Sequence, residues 1–82
     1  MSKQPSRPER WADAAGRAVA ALEELIDLQA EYTDWKEGLP ENLESSATAE
    51  KLETICDLDL QEALTIAQEA EVAEPPLGFG RD

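Results

Sequence analysis

Residues 56 to 64, CDLDLQEAL, gather the chain's most chemically suggestive groups: its single cysteine, Cys56, then Asp57, Asp59 and Glu62. Three chemistries fit such a run: a calcium loop, a reactive thiol, or a pair of catalytic carboxylates. An EF-hand loop takes oxygen ligands at positions 1, 3 and 5, glycine at 6 and glutamate at 12. Counted from Asp57, positions 3 and 5 are Asp59 and Gln61, but position 6 is Glu62 and position 12 is Gln68. Without the glycine the turn cannot close around an ion, so no calcium site is expected. A nucleophilic cysteine needs a cation or a helix N-terminus that favours the thiolate. Cys56 has carboxylates beside it and the chain has no histidine to serve as base, so it reads as a small core residue. One thiol without histidine also makes a poor zinc site. Carboxylates are abundant, but nothing selects one pair as acid and base. Phosphate-binding glycine loops and nucleophile elbows are absent. No catalytic residue, metal or cofactor is expected, and the chain does not read as an enzyme.

What remains for this stretch is a helix junction. Asp59 followed by Glu62 matches a capping box with aspartate in the first position, and Leu58 with Ala63 would supply the accompanying hydrophobic staple. Cys56 and Leu58 would then turn inward. A third helix should run from Leu60 to about Ala73, burying Leu60, Ala63, Leu64, Ala67 and Ala70, before Glu74-Pro75-Pro76 stops it. Upstream, Ser45 or Ser46 can cap a second helix, ATAEKLETIC, with Leu52, Ile55 and Cys56 on one face. LPENLESS is a connector with room for one short turn at Glu41 to Leu43.

The longest element precedes these. From Glu9 to about Glu37 only Gly16 disfavours a helix, and Gly38 with Pro40 ends it. Trp11, Ala18, Leu25, Tyr32 and Leu39 recur every seven residues, while Ala14, Ala21, Leu28 and Trp35 fill the second position of the same heptad. That pattern predicts a helix able to enter a coiled coil. A second stripe, Ala15, Val19, Leu22 and Ile26, lies beside the first. A two-stranded zipper needs only the narrow seam. The wider face implies two neighbours, the chain's own helices on one side and a second subunit on the other. We expect Trp11, Leu25, Leu28, Tyr32 and Trp35 to form the main seam, onto which Leu52, Ile55, Leu60 and Leu64 pack. Trp11, Ala18, Leu25, Leu28, Tyr32 and Trp35 are the expected oligomer interface.

The fold expected is therefore all-α: a long N-terminal helix packed against two shorter ones, a helical hairpin or small bundle, dimeric through the long helix. Residues 1–8 read as a flexible arm, 9–74 as one helical domain and 75–82 as an extended tail. In that tail Leu77 and Phe79 either dock or fray. Eighty-two residues bury little core, and a chain this small needs a disulfide, a metal or a partner to support it. Only the partner is open to this sequence.

Charge narrows the partner. The chain has 7 basic and 19 acidic residues, a net charge of −12. Glu23 to Glu74 holds sixteen acidic residues against Lys36 and Lys51. Such a field repels nucleic acid and anionic membrane and speeds encounter with basic surfaces. Glu23, Asp27, Glu31, Asp34 and Glu37 form the solvent row of the long helix and are the candidate contacts for a basic protein surface. A rigid row of carboxylates also imitates the regular charge of a duplex. The alternative is that acidity serves solubility alone. The N-terminus has no apolar signal core, no run reaches the ~20 residues of a membrane span, and with a lone thiol a cytoplasmic location is expected.

At LPENLESSATAEKLETICDLDL and PPLGFGRD the chain resembles small acidic accessory proteins of bacteriophages and prophages, over most of residues 9 to 82. That resemblance implies a protein of the host cytoplasm that binds and blocks a larger host or defence protein. The alternative role is a structural or assembly module whose activity is helix-helix oligomerisation.

Overall fold

Ser6 starts the first helix. Its hydroxyl accepts from the Glu9 N–H at 3.3 Å, while its own O–H and N–H donate to Glu9 Oε1 at 2.8 and 3.2 Å. This reciprocal box satisfies two donors that a helix start otherwise leaves open. It sets the start of α1 (Arg7–Glu37) two residues ahead of the expected Glu9. Pro8 sits in the first turn, where a missing N–H does no harm. The hydroxyl bond first, and the N–H bond second, hold the Glu9 carboxyl below the usual carboxylate range. The box is thus complete at neutral pH and is released as pH falls through that lowered pKa. The S-R-P-E spacing of residues 6–9 is the sequence signal for this box, and it corrects the assignment of residues 6–8 to a flexible arm.

In the computed structural model, residues 6–76 are described. The expectations for residues 1–5, and for Leu77 and Phe79 in the tail, lie outside them. At its far end α1 does not finish on a left-handed glycine: Gly38 has φ −89° and ψ 1°. Its N–H reaches the Asp34 and Trp35 carbonyls, both at 3.1 Å, and the Leu39 N–H reaches Lys36 O at 3.2 Å. The last turn tightens in this way, and Pro40, lacking an N–H, cannot extend it.

A single 3-10 turn, Glu41–Leu43, leads to α2 (Ala47–Cys56), capped by Ser46 through the Ala49 N–H at 3.2 Å. A bend of three residues precedes α3 (Leu60–Val72), where Asp59 Oδ1 accepts the Glu62 N–H at 3.1 Å. The return bond from the Glu62 side chain is not made, so this is half a capping box. Leu58 is 53% exposed, which corrects its expected inward position. Ala63 offers too small a surface to staple it. Asp59→Ala should cost about 1 kcal/mol of stability, read by urea titration; no loss would mean that α3 does not depend on this cap.

All regular structure among the described residues is helical. α2 and α3 run back along α1 as one bent arm. α2 lies beside the C-terminal half of α1, and α3 beside the N-terminal half. Trp11 closes the far end: its Nε1–H donates to Ala70 O at 2.7 Å, engaging a carbonyl of α3's last turn.

The arm covers the second stripe of α1. Ala15 is buried, and Val19, Leu22, Ile26, Gln29 and Thr33 are half-buried. Leu60, Ala63, Leu64, Ala67 and Ala70 face them from α3, with Ala49, Leu52 and Ile55 from α2. The expected heptad seam is met in part: Leu52 and Ile55 border Tyr32 and Trp35, and Trp11 is tied to α3, while Leu25 and Leu28 between them stay exposed. Two features favour the second stripe. Ala15 is buried there, and even a Cβ added at the neighbouring Gly16 would make only ordinary contact, with the Glu71 carboxylate at 3.6 Å. Gln29 supplies the polar group that the bend requires.

Candidate protein-interaction surface

Gln29 organises the bend. Its side-chain amide donates to Ile55 O at 2.8 Å and to Leu58 O at 2.9 Å, two carbonyls at the bend that also accept the Leu58 and Leu60 N–H groups at 3.3 and 3.0 Å. One turn on, Thr33 Oγ1 donates to Gln29 O at 2.9 Å and lies 3.3 Å from Cys56 Sγ. Cys56 is therefore half-buried and packed against a hydroxyl. Sequence reasoning missed Gln29. The signal was its place three residues after Ile26, where an apolar stripe carries one amide. Gln29→Leu keeps the volume and deletes both bonds, so it should cost about 1–2 kcal/mol in urea titration; an unchanged midpoint would contradict this role.

With its second stripe covered, α1 presents two further sectors. At 3.6 residues per turn the heptad stripe lies roughly 110° around the helix from the covered one. Trp11, Leu25, Leu28 and Trp35 are 46, 47, 39 and 54% exposed, and Ala14, Ala18 and Ala21 are exposed among them. Tyr32 is half-buried and stacks on Trp35 with ring centroids 6.1 Å apart and planes at 22°. Together with Thr48, Lys51, Leu52 and Ile55 these two rings line an apolar groove of about 260 Å³ between α1 and α2. Of the six expected interface residues, Ala18, Leu25 and Leu28 lie open on this face, whereas Trp11 is tied to α3 and Tyr32 and Trp35 border the groove beside α2.

The third sector is acidic. Glu23, Asp27, Glu31, Asp34 and Glu37 are all exposed. The first four fall on one side of α1, joined by Glu24, whereas Glu37 at the helix end turns toward the covered stripe. Glu23–Asp27 and Asp27–Glu31 are i,i+4 like-charge pairs, each a small cost to the helix. The basic residues sit elsewhere. Arg17 pairs with Asp13 at 3.4 Å on the exposed surface, an interaction of little energetic weight. Carboxylates are also scattered over α2 and α3, at Glu50, Glu53, Glu62, Glu69 and Glu71, all exposed.

The described residues hold no group of three His, Cys, Asp or Glu side chains placed to bind a metal ion. No described helix is long and apolar enough to cross a membrane. What the arrangement offers chemically is surface: one apolar face and one acidic ridge on a shared rigid helix. Compared with protein-family models, curated proteins and solved structures, the chain matches none.

Proposed function

We propose that the protein is a small helical binding module, not an enzyme, whose main activity is helix-helix association through the open face of α1. One observation carries the reading: Leu25, Leu28 and Trp35 stay 47, 39 and 54% exposed while α2 and α3 are already engaged on the neighbouring stripe. Contiguous apolar patches of this kind on small proteins commonly mark interaction sites. A chain with so thin a core also gains stability from any partner that binds only the folded state. Raising salt from 50 to 300 mM should tighten self-association, because screening weakens repulsion between copies that each carry −12. Sedimentation of the full chain reads this directly, and a monomer at both salts would refute it.

A second reading concerns the acidic ridge. Glu23, Asp27, Glu31 and Asp34 share one exposed sector at a cost in like-charge repulsion, which a basic partner would relieve. On this reading the ridge occupies the basic groove of a larger protein as a nucleic-acid mimic, and the phage-like resemblance makes a host or defence protein the target. Its salt response has the opposite sign, so the two readings separate. Capture from host lysate should fall about tenfold or more between 50 and 300 mM salt. Changing Glu23, Asp27, Glu31, Asp34 and Glu37 to lysine should abolish it; capture indifferent to both changes would exclude the ridge.

A further inference from the structure

Resting on the reading that the open face of α1 takes a helix, the geometry points to its occupant: a second copy of this chain, with its α1 antiparallel. Two independent patterns on α1 support that orientation. The first is side-chain size. The N-terminal half of the face is small, with Ala14, Ala18 and Ala21, and the C-terminal half is large, with Leu25, Leu28, Tyr32 and Trp35. In a parallel pair each layer meets itself. Alanine would then face alanine across voids, while Tyr32 and Trp35 would crowd their own copies, and both faults destabilise a core.

Antiparallel packing removes both faults in a single register. Ala14 meets the partner's Tyr32, Ala18 the partner's Leu28 and Ala21 the partner's Leu25, with the reciprocal contacts following by two-fold symmetry. Trp11, its indole N–H held by Ala70 O of its own α3, and the partner's Trp35 then flank the two ends of a seam roughly 36 Å long. The ends are where two bulky rings have solvent to spread into. Every layer between them pairs one large side chain with one alanine.

The second pattern is charge. The residues just before Trp11, Ala18, Leu25 and Tyr32 flank the open face, and they are Arg10, Arg17, Glu24 and Glu31: basic in the first half, acidic in the second. Antiparallel helices bring this flank against itself, so Arg17 lies within reach of the partner's Glu31, twice per dimer. Glu24 lies near its own copy across the symmetry axis, a like-charge contact that the two Arg17–Glu31 pairs offset. Parallel helices would instead set Arg17 and Glu24 against Leu22 and Gln29, which the chain's own arm already half-buries, and leave the partner's Lys36 opposite Glu31 as the one pair of opposite charge.

The test uses the full chain with one nitroxide label, introduced through Asp34→Cys in a Cys56→Ser background, and dipolar distance measurement. Asp34 lies on the side of α1 away from the seam, so the antiparallel register places the two labels about 40 Å apart and parallel helices about 25 Å apart. A distance under about 30 Å overturns the orientation while leaving self-association standing. No dipolar signal at a concentration of hundreds of micromolar overturns self-association itself. Charge exchange supplies the check on register. Arg17→Glu and Glu31→Arg should each weaken the dimer about tenfold, and the two together should restore it to within about threefold. In a parallel pair these residues lie roughly 21 Å apart along the axis, so the absence of rescue would overturn the antiparallel assignment.

Discussion

Leu52→Ala should lower the unfolding free energy by about 2–4 kcal/mol, a large share of what a chain of this size can have. Leu52 is the most buried residue described, at 3% exposure, and only Ala15 and Ala49 share its class. Truncating it removes the one large apolar group that α2 drives fully between the helices, and leaves a void that two alanines cannot fill. The expected observation is a sharp fall in urea midpoint with little change in slope, and with far-ultraviolet helicity declining at ambient temperature. Val72→Ala is the matched control. At 78% exposure Val72 touches little, so its loss should stay within about 0.5 kcal/mol. Equal effects at the two positions would mean that the arm is not held to α1 as described.

The second large effect concerns association, not folding. Leu25→Glu combined with Leu28→Glu should weaken self-association by roughly a hundredfold or more, since each copy loses two apolar anchors and places charges in the seam. The same substitutions should barely change monomer helicity, because both positions face solvent within one chain. That separation is diagnostic. If the pair unfolded the monomer, the heptad stripe would belong to the chain's own core; if it left the oligomeric state untouched, the open face would be no interface.

How much of this could be read from residues alone depended on the kind of signal. Stops and caps are local chemistry, so Ser46, Asp59, Pro40 and the short turn at Glu41–Leu43 fell where expected. The choice between two adjacent apolar stripes is not local. Heptad spacing marked Trp11, Leu25, Leu28 and Trp35 as a seam, but the chain's own arm meets that stripe only at its ends, at Trp11 and beside Tyr32 and Trp35, and otherwise lies on Ala15, Val19, Leu22 and Ile26. That outcome turned on a small residue, Ala15, and on an amide at position 29, features that periodicity ranks as weak or wrong. Leu58 failed for a similar reason: a staple needs a partner of some size, and Ala63 has none to give. The acidic row was legible as far as Asp34. Glu37 drifted from it because 3.6 residues per turn and the early start of the last turn rotate the helix end away.

The central claim is that α1 lends one face to its own chain and keeps the other for a partner. Sedimentation equilibrium of the unlabelled, unmodified chain from micromolar to several hundred micromolar, at 50 and 300 mM salt, tests it most directly. The expected result is a reversible shift from a 9.0 kDa monomer to twice that mass, with the dimer tighter at the higher salt. A single monomeric species across that whole range would contradict it.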